Sequence, residues 1–274
     1  MEEQLEETGK TVLKEIKHKD DKVILIFDDD KIKLFPETLD AYKVEIGKGY
    51  DRVFLDKLKK LDLKNEGLRY AIQLSKKKLY AEKDFKDKLK KRIENDEIVD
   101  ETIKELKEKK IINDEVYCKC SVDVLNDSNY GKYFIVNYLK SKKISNNIIE
   151  EITFNEEFEE EKAQKYFLSI KNRYVSNNLV KQKKKIFNAL LKRGFEVNII
   201  MNLIKSLKLN PEVEEKEIKK DYLKIKNKIL DGENKKLDNY SEGKIVSWLV
   251  RKGYSYEVIK TIIRKDKKGE MKND

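Results

Sequence analysis

The chain of 274 residues holds one histidine, two cysteines, two prolines and one tryptophan. Each scarcity excludes something. Cys118 and Cys120, with His18 as the one imidazole, cannot complete a four-ligand zinc site without carboxylates. On a helix, side chains two residues apart point about 200° apart, so the pair reads as reduced intracellular thiols. No stretch reaches the roughly 18 apolar residues of a membrane span, so no membrane is expected. The start, MEEQLEETGK, is acidic and polar, unlike a signal peptide, and the expected location is cytoplasmic. Gly47-Lys48-Gly49 lacks the spacing and the Ser/Thr of a phosphate loop. With no nucleophile elbow and no metal-ligand spacing either, the sequence offers no catalytic residue, no metal and no cofactor, and an enzyme is not expected.

Charge, in contrast, is abundant. Charged residues make up 42% and hydrophobic residues 39%, with a formal net charge of +10. The chain is too apolar for disorder, and the charge is mixed in sign, as on helices with solvated faces. The positive excess suggests a polyanionic or acidic partner. It is spread along the chain and is mostly lysine.

The main pattern is a repeat. IFNALLKRGFEVNIIMNLI, from Ile186 to Ile204, returns without a gap as IVSWLVRKGYSYEVIKTII, from Ile245 to Ile263. Leu190 matches Leu249, Gly194 matches Gly253, Phe195 matches Tyr254, and Ile200 matches Ile259. A third copy, IVNYLKSKKISNNIIEEIT, keeps Leu139, Ile144, Ile149 and Ile152 and puts Lys143 where the others have glycine. Such self-similarity marks stacked supersecondary units. The apolar spacing predicts a helix, a glycine in left-handed conformation at its C-terminus, and a second helix. The cations before each turn suit the negative end of the helix dipole. With one helix upstream, each copy becomes a three-helix unit.

In chain order, residues 1–62 read as a small β-rich module. It has strands at Thr11–Ile16, Val23–Phe27 and Lys31–Phe35, a helix starting at Pro36, and a helical stripe at Val53, Leu55, Leu58 and Leu61. Helical repeats are expected at 63–110, 111–153, 154–208 and 209–274. Asn113 or Asp114 caps a helix, Asn155 to Glu161 is an acidic helix start, and Asp231-Gly232 ends a long helix that begins near Val213. The fold class expected is mainly α: tandem three-helix repeats in an elongated, curved array behind the β-rich module.

The order of these elements resembles the RecX family of recombination regulators, in its longer form with an N-terminal β-rich extension. The resemblance covers essentially the whole chain. It rests on Ile111-Ile112-Asn113-Asp114-Glu115-Val116-Tyr117, on Tyr130-Gly131 followed by Leu139 to Ile144, and on Leu190 to Phe195 with its repeat around Gly253 and Tyr254. Asn113 stands where the family usually has Asp, and Lys143 where it has glycine. The resemblance implies a non-enzymatic protein that binds the RecA recombinase filament on single- or double-stranded DNA and modulates, usually inhibits, its ATPase and strand exchange. It is expected as a monomer. Lys142-Lys143, Lys192-Arg193 and Arg251-Lys252 recur at the turns and are the candidate basic ladder facing DNA or partner. The alternative is a helix-turn-helix regulator reading duplex DNA directly, with Asn146, Asn147, Asn198, Ser255 and Glu257 at the reading positions.

Overall fold

The structure is a computed structural model and describes residues 10–174, 179–208, 211–230 and 239–269. The expected helix end at Asp231-Gly232 lies outside the described residues. It is mainly helical with a small N-terminal antiparallel sheet. The chain divides into two compact units, Met1–Cys120 with Ser141–Ile148, and Ser121–Lys140 with Ile149–Asp274.

The first unit opens with β1 (Lys10–Lys19), β2 (Lys22–Phe27), β3 (Lys31–Leu34) and β4 (Gly49–Asp51), in spatial order β3-β2-β1-β4. Alternation sets the sheet's inner face: Val23, Leu25 and Phe27 are buried, whereas Ile24 and Ile26 between them are half-buried. Pairing of Val23 with Leu34 and Leu25 with Ile32 extends that face across β3. The three residues of β4 carry no strand signal of their own. What holds them is Tyr50, which is buried with its ring stacked on Phe54 and edge-on to Phe27.

A short α1 (Pro36–Asp40) follows the sheet's third strand, and α2 (Arg52–Ser75) follows its fourth. The second helix runs without a break past residue 62, where the sequence suggests the module ends. Its 24 residues reach about 36 Å, long enough to serve two cores. Leu55 and Leu58 close the sheet's apolar face. Leu68, Ala71 and Leu74 join the core made with α3 (Glu82–Lys90) and α4 (Asp96–Glu108). Between the two stretches Asp62 accepts the Phe35 amide at 2.6 Å and the Thr38 hydroxyl at 2.7 Å, tying the start of α1 to the helix.

Nine further α-helices and a short 3-10 helix (Lys171–Tyr174) complete the described chain: α5 (Asp114–Asp127), α6 (Lys132–Ser141), α7 (Asn146–Glu150), α8 (Glu156–Ile170), α9 (Leu179–Lys192), α10 (Val197–Lys205), α11 (Pro211–Leu230), α12 (Asn239–Arg251) and α13 (Tyr256–Lys267). The division between the two units falls inside α5 and α6. In the second unit, Ala163, Phe167 and Ile170 of α8 pack with Ile186, Leu190, Phe195 and Ile200. Ile218, Tyr222 and Ile225 of α11 pack with Ile245, Leu249, Tyr254 and Ile259. Leu190, Phe195 and Ile200, with Leu249, Tyr254 and Ile259 that align with them, are thus all buried.

Gly194 and Gly253 have φ of 89° and 94°, and each ends its helix with the same pair of bonds. Phe195 donates to the Leu190 carbonyl and Gly194 to Leu191; Tyr254 donates to Leu249 and Gly253 to Val250. This is a Schellman closure. Lys143, at φ 60°, takes the same left-handed turn without being glycine, at a cost of about 1 kcal/mol. Asn113 accepts the Val116 amide at 3.0 Å and so caps α5, a task Asn performs as well as Asp. Asp114 works across a gap in sequence. It accepts the Glu82 amide at 2.9 Å, giving α3 the cap that its own Ala81 cannot supply.

A β-carbon on Gly194 would run into the backbone of Phe134, whereas one on Gly47, also at positive φ, would meet nothing. Gly194→Ala should therefore cost at least about 2 kcal/mol more than Gly47→Ala, which carries only the ~1 kcal/mol conformational term. Denaturant unfolding of the two variants checks this, and equal losses would refute it. Asp114→Ala should cost about 1 kcal/mol as a lost cap, and Asp114→Asn, which keeps the acceptor, much less. Burial is the main influence on the Asp114 carboxyl and raises its pKa. The folded state therefore favours the protonated form, and stability of the wild type relative to Asp114→Asn should fall as pH rises from below the ordinary aspartate range.

Candidate partner interface

Left-handed backbone at Lys143, Gly194 and Gly253 sets the register of the three turns. Lys142, Arg193 and Lys252 are then equivalent, and the second candidate cation of the first pair, Lys143, is the turn residue itself. The three pairs are consequently not one uniform ladder.

Each equivalent cation is engaged inside its own unit. Lys142 makes an ion pair with Asp84 of α3 at 3.0 Å. Arg193 lies on the Tyr130 ring at 3.6 Å and near the Tyr166 ring at 4.7 Å. Its guanidinium also donates to the Asn129 carbonyl at 3.1 Å and to that of Ser128. Lys252 pairs with Asp221 of α11 at 2.8 Å and sits over the Trp248 ring. Burial works to raise the Asp221 pKa, but the hydrogen bonds from Lys252 and Tyr254 outweigh it and hold the carboxyl below the ordinary range. A stacked arginine contributes up to about 2 kcal/mol when desolvated, so Arg193 belongs to the architecture.

Lys143, Lys192 and Arg251 are exposed. Arg251 makes one bond, to the Ser247 carbonyl of its own helix at 3.3 Å. Lys192 and Arg251 are equivalent positions one residue earlier in their turns, and α9 adds exposed Lys184 and Lys185. The exposed members of the candidate set are therefore one residue per turn.

The family-motif residues Tyr117, Gly131, Leu139, Ile144, Phe195 and Tyr254 are buried. Gly131 is where the Gly194 turn docks: the Gly131 amide donates to the Arg193 carbonyl at 2.9 Å and the Tyr133 amide to the Gly194 carbonyl at 3.1 Å. A β-carbon on either glycine would strike the other's segment.

One cluster has no counterpart in the sequence reading. Lys162 is 1% exposed and donates to Glu159 at 2.5 Å, to Asn126 at 2.6 Å and to the Tyr130 carbonyl at 2.9 Å. Glu159 also accepts the Lys132 amide at 3.0 Å. In a sequence with so many carboxylates and lysines the pair is hidden. The signal that could have shown it is their position among Ala163, Phe167 and Ile170 on the buried side of α8. Among the described residues, no group of three or more His, Cys, Asp or Glu could hold a metal ion, and no helix is long and apolar enough to cross a membrane.

No family model matches the chain. It is similar to the protein named Regulatory protein RecX of Streptococcus agalactiae serotype V, 31% identical over 179 residues, spanning 61% of this chain and 65% of that protein. The serotype Ia protein of the same name is 29% identical over 222 residues, or 77% and 81% of the two chains. That of Listeria monocytogenes serotype 4a is 23% identical over 246 residues, or 87% and 90%. A crystal structure described as regulatory protein RecX shares the fold, with a TM-score of 0.59 and 19% identity over 72% of this chain and all of that one. The chain is thus similar to proteins named Regulatory protein RecX in two genera, and it shares the helical fold of that crystal structure.

Proposed function

We propose that this chain is a regulatory protein of recombination and DNA repair, acting in the cytoplasm without catalysis of its own. It binds the RecA recombinase filament on DNA and lowers the filament's ATPase and strand-exchange activity. Similarity to the proteins named Regulatory protein RecX carries this reading. The exposed cations add physical support: Lys192 and Arg251 repeat at equivalent turns and are exposed to solvent, where a polyanion or an acidic protein surface can meet them. Their neighbours Arg193 and Lys252 hold the fold, so partner contact falls to Lys192, Arg251, Lys143 and the exposed lysines of α9.

Direct reading of duplex DNA by one turn is less well supported. Ser255 Oγ accepts the Val258 amide as the cap of α13, which holds that side chain at the helix start, and Glu257 would repel phosphate.

In an ATPase assay of RecA on single-stranded DNA, the full chain should reduce turnover at stoichiometric ratios; no change would sink the reading. Lys192→Glu with Arg251→Glu should leave the melting temperature within a degree or two, since neither side chain supports the core. If both residues meet phosphate, the double variant should weaken filament binding and flatten its salt dependence by about 1.4 in slope, from ~0.7 per contact. Wild-type inhibition and salt slope would show that the exposed cations are ordinary solvated residues.

A further inference from the structure

Gly243 is a residue that the fold does not explain. It stands in the second turn of α12, and inside a helix glycine is among the least favourable residues. Its backbone is not left-handed, and a β-carbon added to it would meet nothing within 4 Å among the described residues. Neither conformation nor packing therefore requires it. What Gly243 does border is a cleft of about 620 Å³ between α11 and α12. Ile225, Ile229 and Trp248 supply the apolar side of this cleft, and the exposed Tyr240, Lys244 and Arg251 line it as well.

The preceding repeat shows what is peculiar to this place. Lys244 and Arg251 are in register with Lys185 and Lys192, so exposed cations are common to both copies. Trp248, in contrast, is in register with Ala189, Tyr240 with Lys181 and Gly243 with Lys184. The last copy has gained two rings and lost a side chain, all at one cleft. Tyr240 is 71% exposed, so its ring does little for the core. The Lys244 ammonium lies 4.2 Å from that ring, and the Lys252 ammonium 4.1 Å from Trp248. The residues that line the cleft include two cations and no carboxylate, which suits an anionic ligand with flat apolar parts.

We propose that this cleft binds unpaired nucleotides of single-stranded DNA, with bases stacked on Tyr240 and Trp248 and phosphates held by Lys244 and Arg251. The two rings are eight residues apart, about 12 Å along the helix, so each takes a base of its own. The strand between them crosses Gly243, where the missing side chain lets sugar and phosphate approach the helix backbone. Every base has a π-face, so such stacking is indifferent to sequence, while the cations follow the phosphates. A duplex keeps its base faces against one another and offers this cleft only phosphates. The choice of DNA over RNA rests on the reading of the chain as a regulator of a filament on DNA; the stacking itself does not.

The test uses the full chain, whose single tryptophan reports on the cleft through its fluorescence. No recombinase is present, so a failure here and a failure of RecA inhibition are read separately. A deoxythymidine oligomer of about ten nucleotides should quench Trp248 saturably. An abasic oligomer of equal length keeps the phosphates and should bind at least about fivefold more weakly, the scale of one lost stack. Tyr240→Ala should weaken the thymidine oligomer about fivefold, and so should Gly243→Leu, which fills the crossing point. Neither position supports the core, so both variants should melt with the wild type. Absence of saturable quenching, equal affinity for the abasic oligomer or for a duplex of the same length, or unchanged affinity in Tyr240→Ala would overturn the proposal. Tighter binding of a uridine RNA oligomer would overturn the choice of DNA. Should Gly243→Leu alter the fold, Tyr240→Ala and the abasic comparison decide.

Discussion

The contact on which the second unit depends is the seating of one helix end on another helix start, at Gly194 and Gly131. The last carbonyls of α9 and the first amides of α6 are groups that a helix cannot satisfy within itself. Here they satisfy one another, through Arg193 and Gly194 as acceptors and Gly131 and Tyr133 as donors. The two helix dipoles meet with opposite ends, which adds to the attraction. The approach is backbone on backbone, and so both positions require glycine for space, and Gly194 for its positive φ as well.

The same joint recurs with different chemistry. At the end of α12, Gly253 faces the Val180 side chain, and Lys252 and Lys181 share Asp221. In the first unit the end of α6 meets the start of α3 through Lys142 with Asp84 and through Lys83 with the Ser141 carbonyl. The cation just before each turn is thus a structural element. It serves its own joint by ion pair or by ring stacking. The cation one position earlier, at Lys192 and Arg251, is exposed, as is Lys143 at its turn. This separation leaves the charges of Lys192 and Arg251 outside the joints, so the fold does not depend on them.

Much of the fold is legible in the sequence because the repeat periodicity reports burial directly. Ile186, Leu190, Phe195 and Ile200 and their partners around Gly253 are apolar for one reason, and each is buried. The turn glycines are legible for the same reason: left-handed backbone restricts the choice of residue. The interface is less legible. Charged residues occur at almost every solvated position of this chain, and a lysine that holds Asp84 looks the same in sequence as one facing water. Burial of Glu159, Lys162 and Glu214 is equally invisible, because their charge reads as solvated until a neighbouring helix covers them.

By itself, the sequence determined that the chain is mainly helical, built on a repeated helix-turn-helix pair behind a short β-rich stretch. It also determined where the turns fall, since hydrophobic periodicity and glycine conformation are local properties. Tertiary structure decided three other matters. It joined the β-module to the first helical core through the continuous α2, assigned Lys142, Arg193 and Lys252 to the joints, and buried Lys162 against Glu159. Each of these depends on which element covers which, and no local pattern of residues encodes that.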